Sequence, residues 1–258
     1  MKKLLIFLSL ALLSSSFALV DGELSIGVYN QNPKGYIQYP AGKGTTLDLE
    51  KDLKLGDETR PTAKLKLELP FILPNIYLAY TKMKFTGKNN VTNVRFGDYV
   101  FNADINTSVK ANQLDVGLYY HVPFIKSDIL DPEIGVIVKV VDFKATVSGN
   151  ATEVKTGISG SYREEKSKTV PLPLAYASVG VYPLKFIGFV GEFKGAKAGD
   201  NYFYEYAAGL RLRFFDLRIA HFFVEGGYRF QRLRLKDVGD VNADIKVSGV
   251  YANIGVGF

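Results

Sequence analysis

Val250-Tyr251-Ala252-Asn253-Ile254-Gly255-Val256-Gly257-Phe258 closes the chain. Alternate positions, Val250, Ala252, Ile254, Val256 and Phe258, are apolar. The positions between, Tyr251, Asn253, Gly255 and Gly257, are small or polar. Successive side chains of a strand point to opposite faces, so a period of two predicts a β-strand with one apolar face. The stretch before it repeats the pattern. Phe222, Val224, Gly226, Tyr228 and Phe230 share one face, and His221, Glu225 and Arg229 the other. A turn with Gly239 and Asp240 joins the two into a hairpin.

Working backwards, the same alternation marks ten candidate strands, at about 20–29, 61–69, 76–87, 107–121, 134–148, 168–182, 186–195, 202–213, 219–236 and 244–258. Val91 to Phe101 either forms an extra pair or extends an outer loop. After residue 18 no uncharged apolar stretch reaches the ~20 residues of a membrane-spanning helix. The longest, Thr169 to Leu184, contains Pro171, Pro173 and Pro183, which a helix interior does not tolerate. Connections alternate short and long. The short ones share a motif: Pro70-Phe71-Ile72, Pro123-Phe124-Ile125 and Pro183-Leu184-Lys185-Phe186-Ile187. Proline cannot donate to a ladder and belongs where pairing stops. The neighbouring Phe suits an aromatic girdle at a membrane–water boundary, and the chain is rich in Tyr (16) and Phe (18) to supply one. The longest connection is 31–60. Within it Leu47 to Leu55 is read either as a short helix or as a β-extension, and the loop is read as an ordinary surface loop or, if any loop carries recognition, as the place to look for it.

The N-terminus sets the address. Met1-Lys2-Lys3, an apolar run from Leu4 to Leu13 and Ser14-Ser15-Ser16-Phe17-Ala18 form the three parts of a secretory signal peptide. Cleavage is expected after Ala18, leaving residues 19–258 as a single domain. There is no cysteine, so an exported fold must be held without disulfides. A closed barrel in lipid achieves this, because every backbone group pairs internally. The net charge of +6 falls by two when Lys2 and Lys3 leave. The basic residues are scattered along the sequence, whereas nucleic-acid binding needs a clustered basic face, so no nucleic-acid partner is expected. Anionic lipid headgroups or plain solvation account for the excess.

Together these residues resemble the bacterial outer-membrane β-barrel class over essentially all of 19–258. The terminal Phe258, preceded by alternate apolar residues, resembles the signal read by barrel-assembly machinery. Leu114-Asp115-Val116-Gly117-Leu118-Tyr119-Tyr120 and Val170-Pro171-Leu172-Pro173-Leu174-Ala175-Tyr176 are similar to a family of small outer-membrane proteins of undefined function, which implies no activity. The resemblance implies a closed antiparallel transmembrane β-barrel of about ten strands (eight to twelve). Its partners would be outer-membrane lipid and lipopolysaccharide, with the assembly machinery acting during biogenesis. A Lys or Arg facing lipid near the midplane costs about 2–4 kcal/mol, so the charged faces go to the lumen. They carry Lys64, Lys66, Glu68, Lys82, Lys84, Asp115, Lys139, Glu192, Glu205, Arg211, Arg213, Glu225 and Arg229. A soluble lipocalin-like barrel would invert the two faces.

The only histidines are His121 and His221, both expected at the periplasmic rim. An omptin-like protease keeps its acid–His machinery at the outer mouth, and a phospholipase-like site needs a His beside a Ser. Neither pattern is present, nor is a metal cluster or a phosphate loop, so the chain reads as no enzyme and as needing no cofactor. Barrels of about eight strands are filled by side chains, and open channels appear near sixteen. The expected function is a structural or surface-interaction barrel with a plugged lumen. The alternatives are a narrow pore, and a ligand-binding barrel acting through outer loops 31–60 and 149–167.

Overall fold

The structure, a computed structural model, describes residues 21–70, 72–127, 129–217 and 220–258. The expected signal peptide and Phe71 lie outside the described residues. The chain runs as β1 (Asp21–Gln38), β2 (Thr46–Asp48), β3 (Glu58–Glu68), β4 (Asn75–Thr81), β5 (Lys84–Asn90), β6 (Val94–Phe96), β7 (Tyr99–His121), β8 (Leu130–Glu153), β9 (Ser159–Leu184), β10 (Ile187–Ala198), β11 (Asn201–Leu217), β12 (Ala220–Leu235) and β13 (Asn242–Gly257). No helix occurs among the described residues.

Ten strands, β1, β3, β4 and β7 to β13, form an antiparallel ring. It closes where β1 pairs β13, from Glu23↔Gly257 to Gln38↔Asn242. All ten expected strands are present, most of them longer at their outer ends. The expected strand 76–87 is divided into β4 and β5, with Lys82 and Met83 between them. Val91 to Phe101 forms the extra pair, with β6 against the start of β7. Much of the expected loop 149–167 is strand, since β8 and β9 remain in register out to Thr152↔Ser159.

Outward-facing residues at mid-height form an apolar belt. Leu24, Ile26 and Val28 on β1, Leu114, Val116 and Leu118 on β7, Ile134, Val136 and Val138 on β8, and Phe222, Val224 and Tyr228 on β12 are all exposed. This is the inverse of a soluble barrel and the arrangement that hydrocarbon requires. Asp21, Phe258 and the short connections lie at one rim, the end that faces the periplasm in a barrel of the outer-membrane kind. At the β7–β8 turn Phe124 has a left-handed backbone and a fully exposed ring, and Ile72 and Phe186 are exposed at the neighbouring turns.

About 10 residues carry a tilted strand across a bilayer. β7, β8 and β9 have 23, 24 and 26, so roughly half of each stands outside it. Inside this extension lies the larger apolar core. Leu47, Leu49, Leu53 and Leu55 fold in from the first outer loop and meet Phe85, Phe96, Phe101, Ile105 and Val147. The segment read as helix or β-extension begins as the short strand β2, paired with β1, and continues as a turn that fills the extension from within. Gly87 permits the contact: a Cβ there would lie 2.0 Å from the Leu53 carbonyl oxygen. Two surface turns are pinned by charge, with Lys236 donating to Asp200 at 2.6 Å and holding that carboxyl below its ordinary range.

β9 pairs β10 only from Ala175 to Leu184. Above that point β9 is an edge strand, and Pro171 and Pro173 stand at the start of the unpaired stretch. Their missing N–H groups blunt an edge that would otherwise recruit other strands. As sequence, the same prolines argue only against a helix.

Candidate functional site in the barrel lumen

The inward faces of the strands carry the polar side chains, and the lumen is organised around buried charge. Glu205 of β11 is the hub. Its carboxylate is 2.9 Å from Arg229, 3.2 Å from Lys139 and 3.3 Å from Lys194. Lys139 also reaches Asp115 at 2.8 Å and donates to Gln113 Oε1 at 3.0 Å. Lys194 reaches Asp115 at 2.7 Å and Glu192 at 3.0 Å. Lys139, Lys194, Glu205 and Asp115 are each 2 % exposed or less.

Many of these contacts cross the lumen. Lys194 on β10 and Asp115 on β7 are separated in the ring by two strands. Arg229 on β12 donates to Thr81 Oγ1 on β4 at 3.1 Å, and Gln113 on β7 donates to Gln231 on β12 at 3.0 Å. Such bonds close when side chains meet near the barrel axis. Immediately outward, Met83 lies 3.1 Å and 3.2 Å from the two amide nitrogens and begins the apolar core of the extension.

On the side of the hub toward the Phe258 rim the charges again pair. Arg211 grips Glu23 with two donors at 2.5 and 3.0 Å and Glu225 with two at 2.9 and 2.5 Å, stacking on Phe223 at 4.2 Å. Gly255 makes room for that ring, since a Cβ there would fall 2.2 Å from Phe223 Cζ. Lys64 on β3 reaches Glu192 at 3.3 Å, and Tyr77 donates to the same carboxylate at 3.1 Å. Lys66 reaches Glu133 at 2.5 Å, and Tyr176 donates to Glu133 at 2.8 Å. Arg213 stacks on Tyr182 at 3.9 Å. Between these groups a cavity of about 1270 Å³ runs from the rim residues Gly22, Asp131, His221 and Phe258 up to Tyr29 and Arg229. It opens at the rim where Gly22 and Phe258 stand.

Of the residues assigned to the lumen, Lys64, Lys66, Asp115, Lys139, Glu192, Glu205, Arg211, Arg213, Glu225 and Arg229 line it, and Glu68 stands at its rim. Lys82 and Lys84 do not. Lys82 is exposed, and Lys84 opens β5 on the outward face of the extension. The break after Thr81 placed both above the belt, where charge facing outward meets water, not lipid, and the sorting rule no longer acts.

The rim holds a cluster that residue spacing concealed. His121 Nδ1 is 2.7 Å from Asp131 and its Nε2 3.1 Å from Glu68. His121, Asp131 and Glu133 bring one ligand-capable atom each within 4.8 Å. Glu133 is already engaged by Lys66 and Tyr176, which disfavours a cation there. Phe258, at the same rim, is half-exposed on the outward face and exchanges both backbone hydrogen bonds with Gly22 at 2.7 and 2.9 Å.

No protein-family model matches the chain, and no curated protein does. Among solved structures, the chain is similar to the outer membrane protease OmpT of Escherichia coli at 10% identity, over 92% of this chain and 96% of that one, with a TM-score of 0.48. It is also similar to Ail, the attachment invasion locus protein of Yersinia pestis, at 10% identity over 92% and 97%, TM-score 0.35. Neisserial surface protein A matches at 9% identity over 92% and 97%, TM-score 0.35. A closed ring of ten strands, an apolar belt facing outward and a charged interior make this chain an antiparallel β-barrel of the kind that crosses a membrane with strands.

Proposed function

We propose that this protein is a non-conducting, non-catalytic barrel that anchors a rigid β-extension on the outer surface, where it has a structural or surface-interaction role. The observation that carries the reading is the ion-pair lattice centred on Glu205. It crosses the lumen and lies directly beneath an apolar core, so a solute entering from the periplasm meets first buried charge and then packed Leu and Phe. A buried charge is retained only where it is paired, and opening a path through the lattice would leave several charges unpaired. The lumen is therefore a cul-de-sac. His121 favours the non-catalytic reading: both its ring nitrogens are engaged by carboxylates, Glu68 and Asp131, which leaves neither to take a proton from a nucleophile. Phe258, exposed at the rim where the ring closes, would serve as the assembly signal.

The alternative, a narrow pore, draws on the mixed charge lining the 1270 Å³ cavity. The chain lacks cysteine, so a single introduced thiol separates the two. Ser178 lines the cavity. Ser178→Cys in proteoliposomes, with an impermeant maleimide added outside, is expected to label only molecules whose periplasmic rim faces the reagent. Molecules whose outer loops are clipped by added protease should stay unlabelled. Labelling of the clipped molecules would show a path through the extension and sink the sealed-lumen reading.

A further inference from the structure

The outward face of the extension carries a basic array separate from the lumen charges. Lys84 on β5, Lys110 on β7 and Lys144 on β8 are directly opposite one another in register, Lys84↔Lys110 and Lys110↔Lys144. The next row outward is Thr86, Ser108 and Thr146, and the one beyond it begins with Lys88. Lys54 of the first outer loop joins the rim, and the whole forms a groove of about 690 Å³. Like charges directly opposite on neighbouring strands repel, and three in a row do so twice. Acids on this face relieve little of it. Glu165 pairs Lys144 and Arg163, Asp104 accepts from Asn90, and Asp142 lies one step below. Among the described residues, Lys54, Lys84, Lys88 and Lys110 have no ion pair.

Height selects the anion that would relieve the repulsion. On the same strands the apolar belt ends at Leu114 and Val140, which are cross-strand partners. The lysine row is four residues further along, about 13 Å at ~3.3 Å per residue. At the usual strand tilt that is about 10 Å above the hydrocarbon, at and just above a headgroup layer of roughly 5–8 Å. We propose that this face is a phosphate-binding site for phosphorylated lipid of the outer leaflet, with lysine ammoniums flanking the phosphate and the hydroxyl row donating to it. The assignment is independent of whether the lumen conducts.

The test is binding of bisphosphorylated lipid A to the refolded mature chain in non-ionic detergent, against dephosphorylated lipid A and heparin. Wild type is expected to prefer the phosphorylated lipid. Lys84→Gln/Lys110→Gln should weaken it about 30-fold, at about one kcal/mol per lysine near an anionic surface, and Lys110→Arg should retain it. Without lipid, the double variant should unfold at the same or a higher temperature, because a facing like-charge pair is gone; a merely structural role predicts the opposite sign. Should the pair fail to refold, the exposed Lys54→Gln/Lys88→Gln carries the same expectation of weakened binding. Equal binding of both lipid A forms, or unchanged affinity in the variants, would overturn the proposal. Tighter binding of heparin than of lipid A would overturn the lipid assignment in favour of a soluble polyanion.

Discussion

Glu205→Gln is expected to destabilise the folded barrel by about 3–5 kcal/mol, the usual consequence of removing one partner from a buried ionic cluster. The substitution keeps shape and removes one charge. Lys139, Lys194 and Arg229 then share fewer acids at a point where Glu205 is 2 % exposed and water cannot substitute. Urea unfolding in lipid, followed by heat-modifiable gel migration, measures the loss. Two companions make the cause explicit. Adding Lys139→Met to Glu205→Gln should recover part of the loss, because the excess cation is gone and the pair couples. Asp200→Asn, which breaks an ion pair whose side chains are about two-thirds exposed, should leave the midpoint unchanged, because such pairs contribute little. A Glu205→Gln barrel as stable as wild type would mean that the lumen is wetter than its packing indicates.

Phe101→Ala is expected to have the second large effect, and in a different place. Phe101 is fully buried in the core of the extension, and emptying such a site costs about 3–5 kcal/mol. The extension projects beyond the bilayer and has its own core, so the loss should appear as local opening. Protease should clip the outer loops at concentrations that leave wild type intact, while the barrel keeps its heat-modifiable migration. Loss of both together would show that the extension and the membrane ring unfold as one unit.

The ring was legible in the sequence because one physical rule governs it. Hydrocarbon on one side and charge on the other impose a strict period of two, and the residues from Val250 to Phe258 display it without interruption. The same rule placed Glu205, Arg211 and Arg229 correctly in the lumen. It failed at Lys82 and Lys84 because both faces of a strand may be polar once it leaves the membrane, so alternation no longer says which side is in. The outer core was hidden for a related reason. Leu47, Leu49, Leu53 and Leu55 look like one face of a short element, and nothing local tells that they fold inward over Gly87. Nor do scattered lysines announce that β5, β7 and β8 will set three of them side by side: Lys84 and Lys144 are 60 positions apart, and only register joins them. His121, Asp131 and Glu68 meet at the rim by the same long-range pairing.

Whether the lumen is closed is read from planar-bilayer conductance of the refolded chain, residues 19–258. A closed lumen gives a folded, heat-modifiable protein that inserts without discrete current steps. Reproducible unitary steps that change size when Arg211 or Arg229 is neutralised would contradict it, and would make the charged lattice the wall of a channel.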